Sequence, residues 1–213
     1  GRRPTPWPWS RFLDEVNSTP TPMLASMRLG VLGGTFDPPH IGHLVMADAA
    51  LQQLDLPRVS WIPTGDPWQK ERVTPSHDRL QMTRLAVDGV GDMVVDDREV
   101  NRAGPTYTVE TLESLRAEGV EPVLIVGADT AVGMPGWHRA AELGDVEIAI
   151  VPRPGTSRDD VEAAVSGPVS WIDTPPLDIS ATDLRRRLAD GLSTRFLIPE
   201  RVSAYARSRG LYD

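Results

Sequence analysis

The chain has 213 residues, of which 40% are hydrophobic and 24% are charged, so it is long enough to bury the core of a globular domain. Its formal net charge of -8 argues against a general nucleic-acid binder, because affinity for a phosphate backbone needs a surplus of Lys and Arg on one face. The sequence has no cysteine, which excludes disulfides and thiolate metal sites. It also has no run of the ~18 to 20 apolar residues that a membrane helix needs, and no signal-peptide block, so a cytoplasmic protein without membrane contact is expected.

Residues 1–26 differ in composition from the rest of the chain, because they are rich in proline and carry a pair of tryptophans. We expect a disordered N-terminal extension there; a docking arm that uses the tryptophans is the less favoured alternative. Met27 stands directly before a strand pattern and is a candidate for the natural start, with Met23 as the alternative. Residues 27–213 are then expected to form a single domain, with a C-terminal helical segment from about residue 180.

Apolar runs and helical patterns alternate along the chain. The run from Arg28 to Leu32 ends in a glycine turn, and the helical pattern of Leu44 to Leu54 follows. Further strands are predicted at 59–62, 93–95, 123–126, 148–151 and 169–172, and helices near 76–87, 107–117, 137–143, 180–189 and 199–208. This alternation predicts an α/β fold, a Rossmann-like doubly wound parallel sheet with helices on both faces. Ligands of such sheets bind beyond the carboxyl ends of the strands.

Residues 33–43, Gly-Gly-Thr-Phe-Asp-Pro-Pro-His-Ile-Gly-His, join the first strand to the first helix. Gly33 and Gly34 let the backbone adopt positive φ and approach a ligand, and the amides of the following helix start can bind an anion. His40 and His43 are three residues apart, so they can face the same side. The combination of a glycine turn, a helix start and two paired donors predicts that this segment binds a polyphosphate. The alternative, histidines that are only hydrogen-bonded at the surface, is less favoured. The glycine between the histidines would leave the approach unobstructed.

A second phosphate-binding segment is predicted far along the chain, at residues 179–185. Ser180 and Thr182 stand at a helix start, where hydroxyls and amides can meet an anion. Arg185, one turn later, can bind phosphate oxygens with its forked guanidinium. An ordinary capped surface helix is the alternative.

The string of residues 33–43 resembles the signature of the nucleotidylyltransferase superfamily, whose H-x-G-H histidines contact the phosphates of ATP. Residues 179–185 resemble its I-S-S-T-x-I-R string, with Ala181 as a departure. The resemblance implies His40, His43 and Arg185 as catalytic residues. It implies ATP contacts from Gly33, Gly34, Thr35, Phe36, His40, His43, Arg153, Ile179, Ser180, Thr182 and Arg185.

Within that superfamily, the chain from Met27 onwards resembles the bacterial nicotinate mononucleotide adenylyltransferases. The matching strings lie at 62–70, 102–108, 127–137, 152–155 and 196–212, and the last of them is expected to pack as structure. Gln69 departs from the family's usual His. The resemblance implies that Lys70, Thr108, Asp129 and Trp137 bind nicotinate mononucleotide. A stacking face for the pyridine ring is the role implied for Trp137; a core aromatic there, and helix caps at Thr108 and Asp129, are the structural alternatives.

The implied reaction joins ATP and nicotinate mononucleotide to give nicotinate adenine dinucleotide and pyrophosphate, a step of NAD biosynthesis. Mg²⁺ is the implied cofactor, bound mainly through phosphates and water, and no protein metal ligand is assigned. Other adenylyl- or cytidylyltransferases, such as phosphopantetheine adenylyltransferase, and a non-catalytic nucleotide sensor are the alternatives. A monomer and a homo-oligomer both stay open.

Overall fold

The computed structural model describes residues 27–65 and 73–212. The extension predicted at residues 1–26 and the predicted ligand contact Lys70 lie outside the described residues. The division into an extension and one domain therefore stays a prediction.

Six parallel strands form one sheet in the order β3-β2-β1-β4-β5-β6. The strands are β1 (Met27–Gly34), β2 (Val59–Pro63), β3 (Met93–Val95), β4 (Val120–Gly127), β5 (Glu147–Val151) and β6 (Val169–Trp171). The strand order reverses between β1 and β4, which are adjacent in the sheet but far apart in the chain. The predicted doubly wound parallel sheet is confirmed.

Seven α-helices are described: α1 (Ile41–Gln53), α2 (Ser76–Val87), α3 (Thr108–Ala117), α4 (Ala128–Val132), α5 (Arg158–Ala164), α6 (Ala181–Ala189) and α7 (Glu200–Ser208). Two 3₁₀ turns, Met134–Gly136 and Ala140–Leu143, lie between α4 and β5. None of the described helices is both long enough and apolar enough to cross a membrane.

Both faces of the sheet are buried because the strand side chains alternate between two cores. On β1, Leu29 and Val31 pack with Leu112 of α3 on one face. Leu32 packs with Ala47 of α1 on the other. This burial explains why the strands appear in the sequence as continuous apolar runs.

A third apolar cluster attaches the C-terminal helices to the body of the protein. Met82 of α2, Leu184 of α6 and Val202 of α7 belong to this cluster, and all of them are buried. The cluster therefore packs α6, which carries the second predicted phosphate segment, with α2 and α7.

The helical prediction for residues 137–143 is wrong over its first half. Trp137 is extended, and Arg139 has a left-handed φ of 54°, so only a 3₁₀ turn at Ala140–Leu143 remains. The helices α4 and α5 were not predicted, because five and seven residues are too few for a helical period to stand out.

Candidate active site

A cleft of about 840 Å³ opens at the carboxyl ends of β1 and β4, where the strand order reverses. Every described residue that the sequence predicted for the site lines this cleft. They are Gly33, Gly34, Thr35, Phe36, His40, His43, Thr108, Asp129, Trp137, Arg153, Ile179, Ser180, Thr182 and Arg185. The fold thus brings together segments from both ends of the described chain.

The positive φ predicted for Gly33 and Gly34 is wrong, whereas their close approach to a ligand stays a prediction. Neither has a positive φ; the residue with the left-handed conformation is Phe36, at 49°, with its ring buried. A Cβ on Gly34 would lie 3.3 Å from the Phe36 ring, so packing requires the small residue there. A Cβ on Gly33 would meet no atom within 4 Å. Glycine at that position is therefore not required by packing and leaves room beside the cleft.

His40 and His43 form a pair at the start of α1, with ring centroids 3.8 Å apart. The backbone N–H of His40 donates to Nδ1 of His43 at 3.2 Å. Because that nitrogen accepts, the proton of a neutral His43 is on Nε2. The pair is built by helix geometry, since residues three apart lie on the same face.

Gly42 makes room for the His40 ring. A Cβ at this position would lie 3.0 Å from Nδ1 of His40. The expectation that this glycine leaves the approach unobstructed for the ligand stays a prediction beside this packing role. Its effect on the site is indirect, because it determines where the His40 imidazole sits.

His40 is 3% exposed, and its Nδ1 has no hydrogen-bond partner among the described residues. Burial, followed by the nearby charge of Arg153, lowers the pKa of His40 from 6.5 to about 4. The imidazole is therefore neutral at pH 7 and adds no positive charge to the cleft.

This shift in pKa predicts that folding stability decreases as the pH falls. In the unfolded chain His40 takes up a proton near pH 6.5, whereas in the folded protein it does so only near pH 4. Between these values the unfolded state binds more protons, so the folded state should lose ~2 kcal/mol between pH 7 and pH 5. Denaturant unfolding of the nucleotide-free wild type and of His40→Gln at both pH values checks this. Equal losses in the two proteins would contradict it.

The second predicted segment begins α6 as expected. Ser180 is the N-cap, and its hydroxyl accepts from the backbone N–H of Asp183 at 3.1 Å. Arg185 Nη1 donates to the carbonyl oxygen of Asp37 at 2.8 Å, across 148 positions of sequence. Its Nη2 donates to the Thr182 hydroxyl at 3.2 Å. Both acceptors are uncharged, so these bonds orient the guanidinium without neutralising it.

Asp37 connects four parts of the molecule and was not predicted as a site residue. Its carboxylate accepts from the Tyr212 hydroxyl at 2.7 Å and from the backbone N–H of Thr74 at 3.1 Å. Its carbonyl accepts from Arg185. Burial and the neighbouring Asp37 charge raise the pKa of Tyr212, so the hydroxyl keeps its proton and remains a donor. The C-terminal tail, expected only to pack as structure, thus contacts the predicted phosphate segment.

Arg153 lies on the floor of the cleft, after β5. Its Nη1 donates to the carbonyl of Leu177 at 3.2 Å, and its Nε lies 3.9 Å from a carboxylate oxygen of Asp129. Its Nη2 lies 3.6 Å from the sulfur of Met46 in α1. The guanidinium therefore lies between α1, the start of α4 and the segment that precedes α6.

The other flank of the cleft carries an aromatic group. Trp137 is half-buried and packs against the core while it also lines the cleft, so the core and site interpretations both describe it. Tyr107 stacks on His138 with ring centroids 4.1 Å apart. Thr108 begins α3 and Asp129 lies in the first turn of α4, and neither side chain is the N-cap of its helix.

Sequence reasoning missed several residues of the site. Tyr107 and His138 stand directly beside predicted residues, so the signal was present in the strings that contain them. Asp37 lies inside the predicted phosphate segment, but its type alone suggested no partner. Tyr212 and Arg79 gave no signal, because their contacts join distant positions of the chain.

A parallel sheet with this strand order, paired histidines at its first turn and an arginine from a late helix define a nucleotidyltransferase. The model of the cytidylyltransferase-like family matches residues 31–187. A protein named probable nicotinate-nucleotide adenylyltransferase from Dehalococcoides mccartyi is 37% identical, with 89% of this chain and 98% of the relative covered. One of the same name from Saccharopolyspora erythraea is 43% identical, with 87% and 89% covered. The chain belongs to the nicotinate-nucleotide adenylyltransferase family.

The fold has a solved counterpart in the nicotinic acid mononucleotide adenylyltransferase of Plasmodium falciparum complexed with NaAD. The two structures superpose with a TM-score of 0.77 over 87% of this chain and 97% of the other. At 17% identity the likeness concerns the fold.

Proposed function

We propose that this enzyme transfers the adenylyl group of ATP to nicotinate mononucleotide in the cleft described above, as a step of NAD biosynthesis. The observation that carries the proposal is the bond between Arg185 and the Asp37 carbonyl, which places the guanidinium beside the segment that bears His40 and His43. A triphosphate in the cleft would then meet donors from both segments.

The nucleophile in this reaction is a phosphate oxygen of nicotinate mononucleotide, which attacks the α-phosphorus of ATP while pyrophosphate leaves. That oxygen is already an anion, so the step needs no general base and no covalent protein intermediate. His43 donates from Nε2 to a phosphate oxygen, and His40 acts as a neutral partner beside it. Arg185 offsets the charge that grows on the leaving pyrophosphate.

Nicotinate mononucleotide occupies the flank of Trp137, Thr108 and Asp129. Stacking of the pyridine ring on Trp137 contributes ~1 kcal/mol, and the amides that begin α3 are suited to the carboxylate. The Asp129 carboxylate accepts a hydrogen bond from a ribose hydroxyl, and Lys70 remains a proposed contact to this substrate.

Mg²⁺ would enter with ATP and would be held mainly by the phosphates and water rather than by protein side chains. Among residues 27–65 and 73–212, no three His, Asp or Glu side chains are grouped as a metal site, and the mode of Mg²⁺ binding stays a proposal. When bound, the ion adds positive charge at the triphosphate.

A pyrophosphate-release assay tests the proposed function. With ATP and Mg²⁺, we expect release with nicotinate mononucleotide as the second substrate and much weaker release with nicotinamide mononucleotide or phosphopantetheine. Preferred turnover of phosphopantetheine would indicate the related adenylyltransferase instead. ATP binding without release for any of the three would indicate a nucleotide sensor.

A further inference from the structure

The guanidinium of Arg79, near the start of α2, is buried and binds only backbone. The residue is 1% exposed. Its Nη1 donates to the carbonyl of Thr35 at 2.9 Å, its Nη2 to the carbonyl of Gly65 at 2.8 Å and its Nε to the carbonyl of Thr74 at 2.8 Å. One side chain therefore joins three separate stretches of main chain.

The three carbonyls have different positions relative to the cleft. Thr35 lies in the turn after β1 and lines the cleft. Gly65 follows β2, and Thr74 precedes α2. Two further bonds join the same regions, since the Thr64 N–H donates to the Gly34 carbonyl at 2.9 Å and the Thr74 N–H donates to Asp37. Arg79 is thus the centre of a set of hydrogen bonds that join the turn after β1 to the segments that follow β2 and precede α2.

Burying the Arg79 guanidinium costs free energy, so filling space in the core does not explain an arginine at this position. Burial lowers the pKa of Arg79, and the charge of Asp37 offsets part of that effect. The hydrogen bonds of Arg79 all have neutral acceptors, so its desolvated charge is stabilised by carbonyl dipoles and by nearby charges such as Asp37 rather than by a direct ion pair. An apolar side chain would fill the same space at a lower cost. Arginine offers a rigid fork of donors that can reach several carbonyls at once, which lysine does not.

We propose that Arg79 is a positioning residue that holds the phosphate-binding turn, residues 33–37, in the shape that receives ATP. The inference rests on the proposed function, in which this turn binds the ATP phosphates. Arg79 itself touches no substrate. It acts through the Thr35 carbonyl directly and through Asp37, whose carboxylate binds the Thr74 N–H.

Binding of a non-hydrolysable ATP analogue with Mg²⁺, measured by calorimetry, tests this role without requiring turnover. Arg79→Met should weaken binding about 30-fold, the value of one bond to a charged donor. Arg79→Lys should retain part of the affinity. Arg84→Met is the matched control, because Arg84 lies on the same helix and pairs with Asp97 at the surface; it should change affinity less than about twofold.

Affinity for nicotinate mononucleotide distinguishes positioning from a general loss of structure. Its binding flank lies on other elements, so its dissociation constant should change less than about threefold in Arg79→Lys. If Arg79→Met does not fold, Arg79→Lys carries the test. Wild-type affinity for the ATP analogue in folded Arg79→Lys would overturn the proposal, and so would equal losses for both ligands. ATP binding without adenylyl transfer would refute the proposed function instead.

Discussion

Replacing His43 by alanine is expected to lower turnover at least ~100-fold, a loss of ~2.7 kcal/mol of transition-state stabilisation, while the protein stays folded. The Nδ1 of this histidine accepts from the His40 backbone, so its proton is on Nε2, the atom proposed to donate to the phosphates. The alanine variant removes that donor and the ring that stacks on His40. Steady-state pyrophosphate release and the unfolding free energy, measured on the same samples, check the expectation.

His77→Ala provides the matched control for this prediction. His77 also lies in the first turn of a helix, but it is exposed and is not among the residues that line the cleft. Its replacement should leave turnover within about twofold of wild type. If folded His43→Ala had normal turnover, the role assigned to His43 would be wrong.

Removal of the Arg185 guanidinium is the second change for which a large effect is expected. Arg185→Ala should lower kcat/KM by about 100-fold to 1000-fold, because a charged fork aimed at transferring phosphate is worth several kcal/mol. Arg185→Lys should recover little, since a compact ammonium lacks the planar fork whose separate nitrogens can bind the Asp37 carbonyl and a phosphate at the same time. Initial rates over a range of ATP concentrations measure the effect.

Arg186→Ala is the control for Arg185, because Arg186 is the next residue of α6 and pairs with Asp183 at the surface. Its loss should change kcat/KM by less than about twofold. Equal effects of the two substitutions would mean that charge on α6, rather than a specific contact, supports the reaction.

Local patterns were sufficient to predict the sheet and most of the helices. Buried parallel strands appear as apolar runs, and the first residues of β1, β2 and β5 were each predicted within one position. Segments shorter than two helical turns, such as α4, were missed, and Trp137 was placed in a helix that Arg139 interrupts. A helical period can be recognised only over a segment of several turns. Nothing in the sequence indicates that an arginine such as Arg139 adopts a left-handed φ.

The predicted site residues that the structure describes all line one cleft, because local motifs placed most of them in the turns after strands or in the first turns of helices. The hydrogen bonds that hold the site segments in place could not be predicted in the same way. Tyr212 binds Asp37 across 175 positions and Arg79 binds Thr35 across 44, and such pairs follow from the tertiary fold. An arginine on a helix is normally exposed, so nothing marked Arg79 as buried.

The most direct test of the two-segment site is a crystal structure with a non-hydrolysable ATP analogue and Mg²⁺. We expect His43 Nε2 and the Arg185 guanidinium to bind oxygens of the same triphosphate, each at roughly 2.7 to 3.2 Å. A bound triphosphate that touched only one of these two groups, with the other beyond the reach of a hydrogen bond, would contradict the account.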